Sequence, residues 1–228
     1  MNDMITISNL SKSYGKHVVF RGLSLSLPRS RVIGLLGENG IGKTTLLRLI
    51  AGLILPDGGE ILIDGQKVSR KTRSMISFLP EPVYFYSFMC VKDATQYYKD
   101  FFQDFDHEKA IELCREFKLG LSRPIKYLSK GNQSRLCLLL SLSRNVPVYL
   151  LDELFAGLDP KFKKDLIKTI LSYVDESATM IISSHLLRDL QSVFDDIVIL
   201  KRRDVVIATA DEIRSQGKSV EDYYLEVV

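Results

Sequence analysis

The sequence predicts an α/β fold: a core built on a parallel sheet, an N-terminal antiparallel β subdomain, and a helical subdomain inserted at about residues 84–144. Three features carry this reading. The runs "RVIGLLG" (31–37), "VYLLDE" (148–153) and "TMIISSH" (179–185) are continuously apolar, as strands buried on both faces must be. Helical patterns separate these runs, and strand–helix alternation implies parallel pairing through right-handed crossovers. The N-terminal runs "MITISNL" (4–10) and "VVFRGLSLSLP" (18–28) instead alternate or carry β-branched residues, which suits strands of an antiparallel edge sheet.

The elements follow in order. After "RVIGLLG", the stretch "GKTTLLRLIAGL" (42–53) has helical spacing and stops at Gly52. "PDGGEILIDGQKV" (56–68) reads as turn, strand, turn, strand. "MISFLP" (75–80) is a strand ended by Pro80. Three helices come next, "VKDATQYYKDFF" (91–102), "HEKAIELCREFKL" (107–119) and "KGNQSRLCLLLSLSRN" (130–145). Beyond "VYLLDE", "PKFKKDLIKTILSYV" (160–174) is an amphipathic helix with Pro160 in its first turn, where a missing N–H costs nothing. "TMIISSH" leads into a short helix, and the strands "DIVILK" (196–201) and "DVVIATA" (204–210) follow. No internal repeat or low-complexity segment is visible.

Composition narrows the class. The chain has 228 residues, 46% hydrophobic and 26% charged, an ordinary globular balance that can bury a sizeable core without staples. Net charge is +3 with the signs mixed, so no nucleic-acid partner is expected. The densest basic cluster, "KRRD" (201–204), lies between two strands and reads as a hairpin tip. Cys90, Cys114 and Cys137 form no CxxC pair; they read as small buried hydrophobes in a reducing compartment. The start "MNDMITISNL" has no apolar core flanked by basic residues, so no signal peptide is expected, and no run approaches the ~20 apolar residues that span a bilayer.

The chemistry concentrates in "GENGIGKT", Gly37 to Thr44. This is the pattern G-x-x-x-x-G-K-[ST] placed between a strand and a helix, the P-loop. Its logic is geometric. Gly37, Gly40 and Gly42 let the backbone, with Glu38 and Asn39 between them, wrap closely round phosphates with N–H groups turned inward. The helix that follows aims its positive N-terminus at the same anion. Lys43 reaches the β and γ phosphates, Thr44 offers a hydroxyl to Mg²⁺, and Thr45 assists at the phosphates. A random chain of this length would match roughly once in a hundred, and the strand-before, helix-after context is met as well. "VYLLDE" supplies the partners: Asp152, at the carboxyl end of a buried strand, suits the Mg²⁺ shell, and Glu153 can orient and polarise a water.

Further motifs give the chain a resemblance, over nearly all of its length, to the nucleotide-binding subunit of an ATP-binding cassette (ABC) transporter, with its P-loop NTPase core. They are Tyr14 in "SKSYGK", Glu81 after "ISFLP", "LSKGN" (128–132), "AGLDP" (156–160) and His185 in "SSH". The resemblance implies that Tyr14 stacks on adenine, and that Glu81 stands where the family has glutamine. A carboxylate there can reach a water or Mg²⁺ but cannot donate as an amide does. "LSKGN" stands for the signature LSGGQ: Ser129 and Gly131 match the positions facing the γ-phosphate of the opposite subunit, whereas Lys130 and Asn132 depart from it. Ser129 is also a good N-cap for the helix that follows. By the same resemblance Asp159 links the two ATP sites and His185 contacts the γ-phosphate.

The implied activity is ATP hydrolysis by a single nucleotide-binding domain spanning residues 1–228. Two copies, or this chain and a paralogue, would close on two Mg·ATP, with Glu153, Lys43 and His185 as the catalytic set. The implied partners are transmembrane permease subunits, which would hold the chain at the cytoplasmic face of the membrane. The aromatic run "PVYFYSFMCV" (82–91) would meet them, some of Tyr84, Phe85, Tyr86 and Phe88 facing the permease and the rest packing inward. The compact length and the Glu81 loop lean toward export. The alternative is an ABC ATPase without membrane partners, acting on ribosomes or DNA. Those relatives commonly carry two cassettes, a coiled-coil insertion or zinc cysteines. A P-loop kinase or other single-site NTPase would have no use for "LSKGN", "AGLDP" and "SSH".

Overall fold

A computed structural model of the chain describes residues 3–79, 85–86, 88–153, 168–170, 172–183, 191–202 and 204–228. Its described strands form two sheets. The first is antiparallel, in the order β2(His17–Leu27), β1(Ile5–Tyr14), β4(Gly58–Ile63), β5(Gln66–Lys67). The second has six strands, in the order β10(Val205–Thr209), β9(Asp196–Leu200), β3(Val32–Leu36), β8(Thr179–Ser183), β7(Val148–Leu151), β6(Ile76–Leu79). All pairs in it are parallel except the β9–β10 hairpin. The predicted class therefore holds, and the hairpin is closed by Lys201 N–H on the Asp204 carbonyl 2.9 Å away.

The continuous apolar runs are explained by two cores, one on each face of the parallel sheet. Ile33, Leu35, Val148, Leu150, Ile181 and Val198 point to one face, where β1, β2, β4 and α1(Lys43–Ile50) cover them. Leu36, Tyr149, Leu151, Met180, Ile182 and Ile199 point to the other. That face is covered by α3(Val91–Phe101), α4(His107–Glu116) and α5(Lys130–Leu142), together with α6(Ala210–Ser215) and α7(Val220–Val227). The second half of α5 is buried on all sides, every residue from Leu136 to Leu142, because it lies between the sheet and the other helices. The three helices α3–α5 fall in sequence between β6 and β7, where the helical pattern places them.

Three differences from the sequence reading have local causes. β1 does not stop at Leu10 but continues to Tyr14, through irregular pairing with β2 and a positive φ of 50° at Asn9. The short helix α2(Arg70–Ser74) is too polar for an apolar stripe; Ser69 and Thr72 start it with a capping box. α6 and α7 begin with the same device, Thr209 with Glu212 and Ser219 with Asp222. The helix expected from Pro160 and the short one after "TMIISSH" lie largely outside the described residues. Cys114 and Cys137 are buried free thiols, and burial pushes them up to about 11 and about 12, so neither is a nucleophile near neutral pH. Cys90 is half-buried and donates its thiol to Asp93 at the start of α3.

Candidate functional site

β3 lies between β8 and β9, and β7 lies beyond β8. Register pairs Leu35 with Ser183 and Leu151 with Ile182, so the carboxyl ends of β3, β8 and β7 are adjacent. Residues that follow these three strands therefore meet along one edge of the sheet, where α/β folds place their ligands.

The Gly37–Thr44 loop leaves β3 there. Gly42 caps α1 in a left-handed conformation with φ 114°. A Cβ on it would stand 2.6 Å from Val19 Cγ1 and 2.8 Å from Phe20 Cζ. One on Gly37, φ 144°, would stand 2.8 Å from the Leu200 carbonyl oxygen. No side chain fits at either position, and the loop is pressed between β2 and the end of β9. Gly42 provides no side-chain cap, so α1 starts with N–H groups that no side chain satisfies, the arrangement that suits an anion.

Lys43 is only 6% exposed. Its Nζ donates to the carbonyls of Gly37 at 2.8 Å and Glu38 at 3.2 Å, so the ammonium is folded back under its own loop. Burial lowers the affinity of this amine for its proton, and the carboxylates of Glu153 and Asp152 oppose that shift. The fold thus brings the loop lysine and the "VYLLDE" acids into electrostatic reach of each other, although more than a hundred residues separate them. Thr44 and Thr45 are half-buried in the first turn of α1, and Glu38, Asn39 and Gly40 are exposed.

Asp152 is 3% exposed, and its Oδ1 accepts a 2.6 Å hydrogen bond from the Ser183 hydroxyl. The same Ser183 oxygen accepts the backbone N–H of Glu153 at 3.0 Å. One serine at the end of β8 therefore fixes both acids at the end of β7. Glu153 has a φ of 47°, a left-handed conformation uncommon for a residue with a side chain and typical of functional sites. The sequence reading did not single out Ser183. Its hydroxyl acquires this meaning only once β7 and β8 are neighbours.

Tyr14 closes the β1–β2 hairpin, paired with His17, and its ring is 48% exposed with Lys12 Nζ 5.6 Å from the ring centroid. An exposed, electron-rich face is available for a flat ligand. Ser129 caps α5 as its sequence implies, accepting the Asn132 N–H at 3.3 Å. Gly131 lies in the first turn, and Gln133 Nε2 donates to the carbonyls of Ile125 and Leu128, which ties the preceding loop to the helix. In the aromatic run, Phe85 packs against the core beneath α3–α5. Tyr86 and Phe88 stack on each other with centroids 5.4 Å apart and stand 62% and 79% exposed. Glu81, Tyr84, Asp159 and His185 lie outside the described residues.

As a donor set, the Thr44 hydroxyl and the Asp152 carboxylate offer hard oxygens. They suit Mg²⁺, which keeps most of its shell as water and phosphate oxygens.

Comparison with known proteins agrees with this geometry. Residues 20–156 match the family model described as "ABC transporter". The chain is 31% identical over 217 residues to the ABC transporter ATP-binding protein YtrB of Bacillus subtilis, covering 93% of this chain and 74% of that one. It is 30% identical over 233 residues to the lipopolysaccharide export system ATP-binding protein LptB of Haemophilus influenzae, covering 97% of each. A solved structure titled "Structure of ATP binding subunit of ABC transporter" superposes with a TM-score of 0.88 at 27% identity, covering 98% of both chains.

Proposed function

From the premise that this chain belongs to the ABC transporter family, as an ATP-binding and ATP-hydrolysing subunit, we propose that it forms one nucleotide-binding domain over residues 1–228 that closes with a second copy on two Mg·ATP. Its closing and opening would drive permease subunits in export. The observation that carries this reading is the meeting of Lys43 with Asp152 and Glu153 at one sheet edge, while the capped end of α5 belongs to a separate group of helices. Each chain thus presents both a P-loop and a "LSKGN" helix start, so two copies, or this chain and a paralogue, can complete two sites.

In this proposal the loop N–H groups and the N-terminus of α1 bind the phosphates, and Tyr14 holds the adenine. Lys43 exchanges the carbonyls of Gly37 and Glu38 for β and γ phosphate oxygens. Thr44 and Asp152 hold Mg²⁺, with Glu81 reaching its shell. When bound, the ion neutralises charge on the phosphates. Glu153 orients a water toward the γ-phosphate, and Ser183 holds the Glu153 main chain and the Asp152 carboxylate in place. Ser129 and Gly131 of the partner copy present the N-terminus of α5 to the same γ-phosphate. His185 completes the set, and Asp159 couples the two sites. Most of the catalysis is electrostatic positioning, as phosphoryl transfer requires. Loss of the γ-phosphate removes the contacts that hold the halves together, and the dimer opens.

The stacked, exposed pair Tyr86 and Phe88 supports a permease contact there, since aromatics anchor interfaces. Among the described residues no helix is long and apolar enough to cross a membrane, so attachment to the cytoplasmic face would run through the permease. Similarity to a relative named for lipopolysaccharide export supports the direction.

The test is capture of tagged Glu153→Gln chain from detergent-solubilised cells with ATP and Mg²⁺. The expected result is co-recovery of a polytopic membrane protein, lost in a Tyr86→Ala, Phe88→Ala variant that still binds nucleotide. Recovery of ribosomes or DNA-repair proteins with no membrane subunit would overturn the transport reading.

A further inference from the structure

We infer that Arg144 and Asp104 form a clamp that sets the position of the signature helix α5 against β6 and its neighbour β7, the strand that ends at Asp152 and Glu153, so that both act as positioning residues for hydrolysis. The inference rests on the proposed role of Ser129 and Gly131 at the partner's nucleotide.

Arg144 stands just beyond the C-terminal end of α5 and is 4% exposed. Its guanidinium grips Asp104 with two parallel bonds, Nε to Oδ1 at 2.8 Å and Nη2 to Oδ2 at 2.7 Å. The same fork donates to the carbonyl of Ile76 at 2.7 Å and of Ser74 at 3.1 Å, and its flat face lies 4.1 Å from the Phe102 centroid. Main chain reinforces the joint: Asp106 N–H donates to the Ser143 carbonyl and Asn145 N–H to the Asp104 carbonyl. The Tyr149 hydroxyl donates to the carbonyl of Arg144. Close by, the Ser77 hydroxyl reaches the Ser141 carbonyl at 3.0 Å and its hydroxyl at 2.8 Å.

These partners come from distinct places. Asp104 and Phe102 belong to the loop between α3 and α4. Ile76 and Ser77 open β6, the strand that leads toward Glu81. Tyr149 is on β7, three residues before Asp152. Arg144 therefore ties the far end of the signature helix to β6 through its guanidinium and to β7 through its main-chain carbonyl.

An ion pair between a buried arginine and a half-buried carboxylate is poor evidence of stability, because apolar residues of equal volume often do as well; its better-attested use is to fix geometry. Here the geometry has leverage. The thirteen residues of α5 separate the clamp from Ser129 by about 20 Å at 1.5 Å per residue. A tilt of about 6° at the clamp then moves the capped end by about 2 Å, and an error of about 1 Å can cost a hundredfold in rate. The P-loop has no such dependence, since it is held by Val19, Phe20 and Leu200.

The test uses the full chain carrying Asp104→Asn, with Asp104→Glu as the conservative variant. The readings are the dissociation constant for a fluorescent ATP analogue with Mg²⁺ and turnover at saturating ATP. Expected for Asp104→Asn is affinity within about twofold of the parent and turnover reduced at least about tenfold, with partial recovery in Asp104→Glu. Parental turnover, or a parallel fall of affinity and turnover, would overturn the inference. Should Asp104→Asn fail to fold, Ser77→Ala loosens the same joint and is read in the same two ways. If the role of Ser129 is what fails, Ser129→Ala keeps parental turnover; if only the clamp fails, Ser129→Ala loses turnover and Asp104→Asn does not.

Discussion

The phosphate loop and the signature helix start are both glycine-containing helix N-termini, yet they are held in opposite ways. The loop is locked from beneath: Gly37 and Gly42 have no room for a Cβ, and Lys43 bonds back to the loop carbonyls. The end of α5 stands on an exposed turn, capped by Ser129 and tied to its preceding loop by Gln133, and its polar joint to β6 lies at its other end, at Arg144. The first is a rigid receptor complete within one chain. The second is an arm whose aim depends on a distant joint, as befits a part that must engage another subunit. Changes at the loop should therefore alter nucleotide binding by the isolated chain, and changes at the arm should alter turnover alone.

The largest expected effect is that of Lys43→Ala, which removes the buried cation. Phosphate release should fall by roughly 10²–10³-fold or more, as when a preorganised electrostatic donor is lost. Unchanged release would end the P-loop assignment. Next comes Ser183→Ala, which leaves Asp152 and Glu153 without their shared partner. Turnover should fall about 10–100-fold, the usual cost of losing a group that orients a metal ligand. Binding of ATP measured without Mg²⁺ should not change; loss of that binding would place Ser183 in the fold rather than in the site.

Ser129→Ala sharpens the contrast. It should cost about 1 kcal/mol as a lost helix cap, visible as a small drop in Tm. It should also reduce turnover with no change in the affinity of the isolated chain for nucleotide. A weakened affinity would mean that α5 serves its own chain's site and would erase the distinction between the two regions. Tyr14→Ala should act on affinity rather than on turnover. It should weaken ATP binding by about 1–3 kcal/mol, the worth of an aromatic stacked on a base, and Tyr14→Phe should restore it.

How much of this was legible in the sequence depends on how far apart the cooperating residues lie. The buried strands could be read because each is a short apolar run, and the loop because its eight residues are contiguous. Ser183 could not, because its role exists only where β7 and β8 lie side by side. Arg144 and Asp104 are forty residues apart and carry no motif. Helices α2, α6 and α7 escaped for a different reason. At five to eight residues they are too short to display an apolar stripe, and each is marked instead by a Ser or Thr with a partner three residues on. Thr209 with Glu212 and Ser219 with Asp222 carry the capping-box signature in the sequence, whereas Ser69 with Thr72 does not.

The most direct measurement is the mass in solution of the Glu153→Gln chain, by light scattering, with and without Mg·ATP. The expected result is a monomer of 25.9 kDa without nucleotide and a species of about twice that mass with it. A chain that binds Mg·ATP at saturation and stays monomeric would contradict the claim that its sites are completed by a second copy.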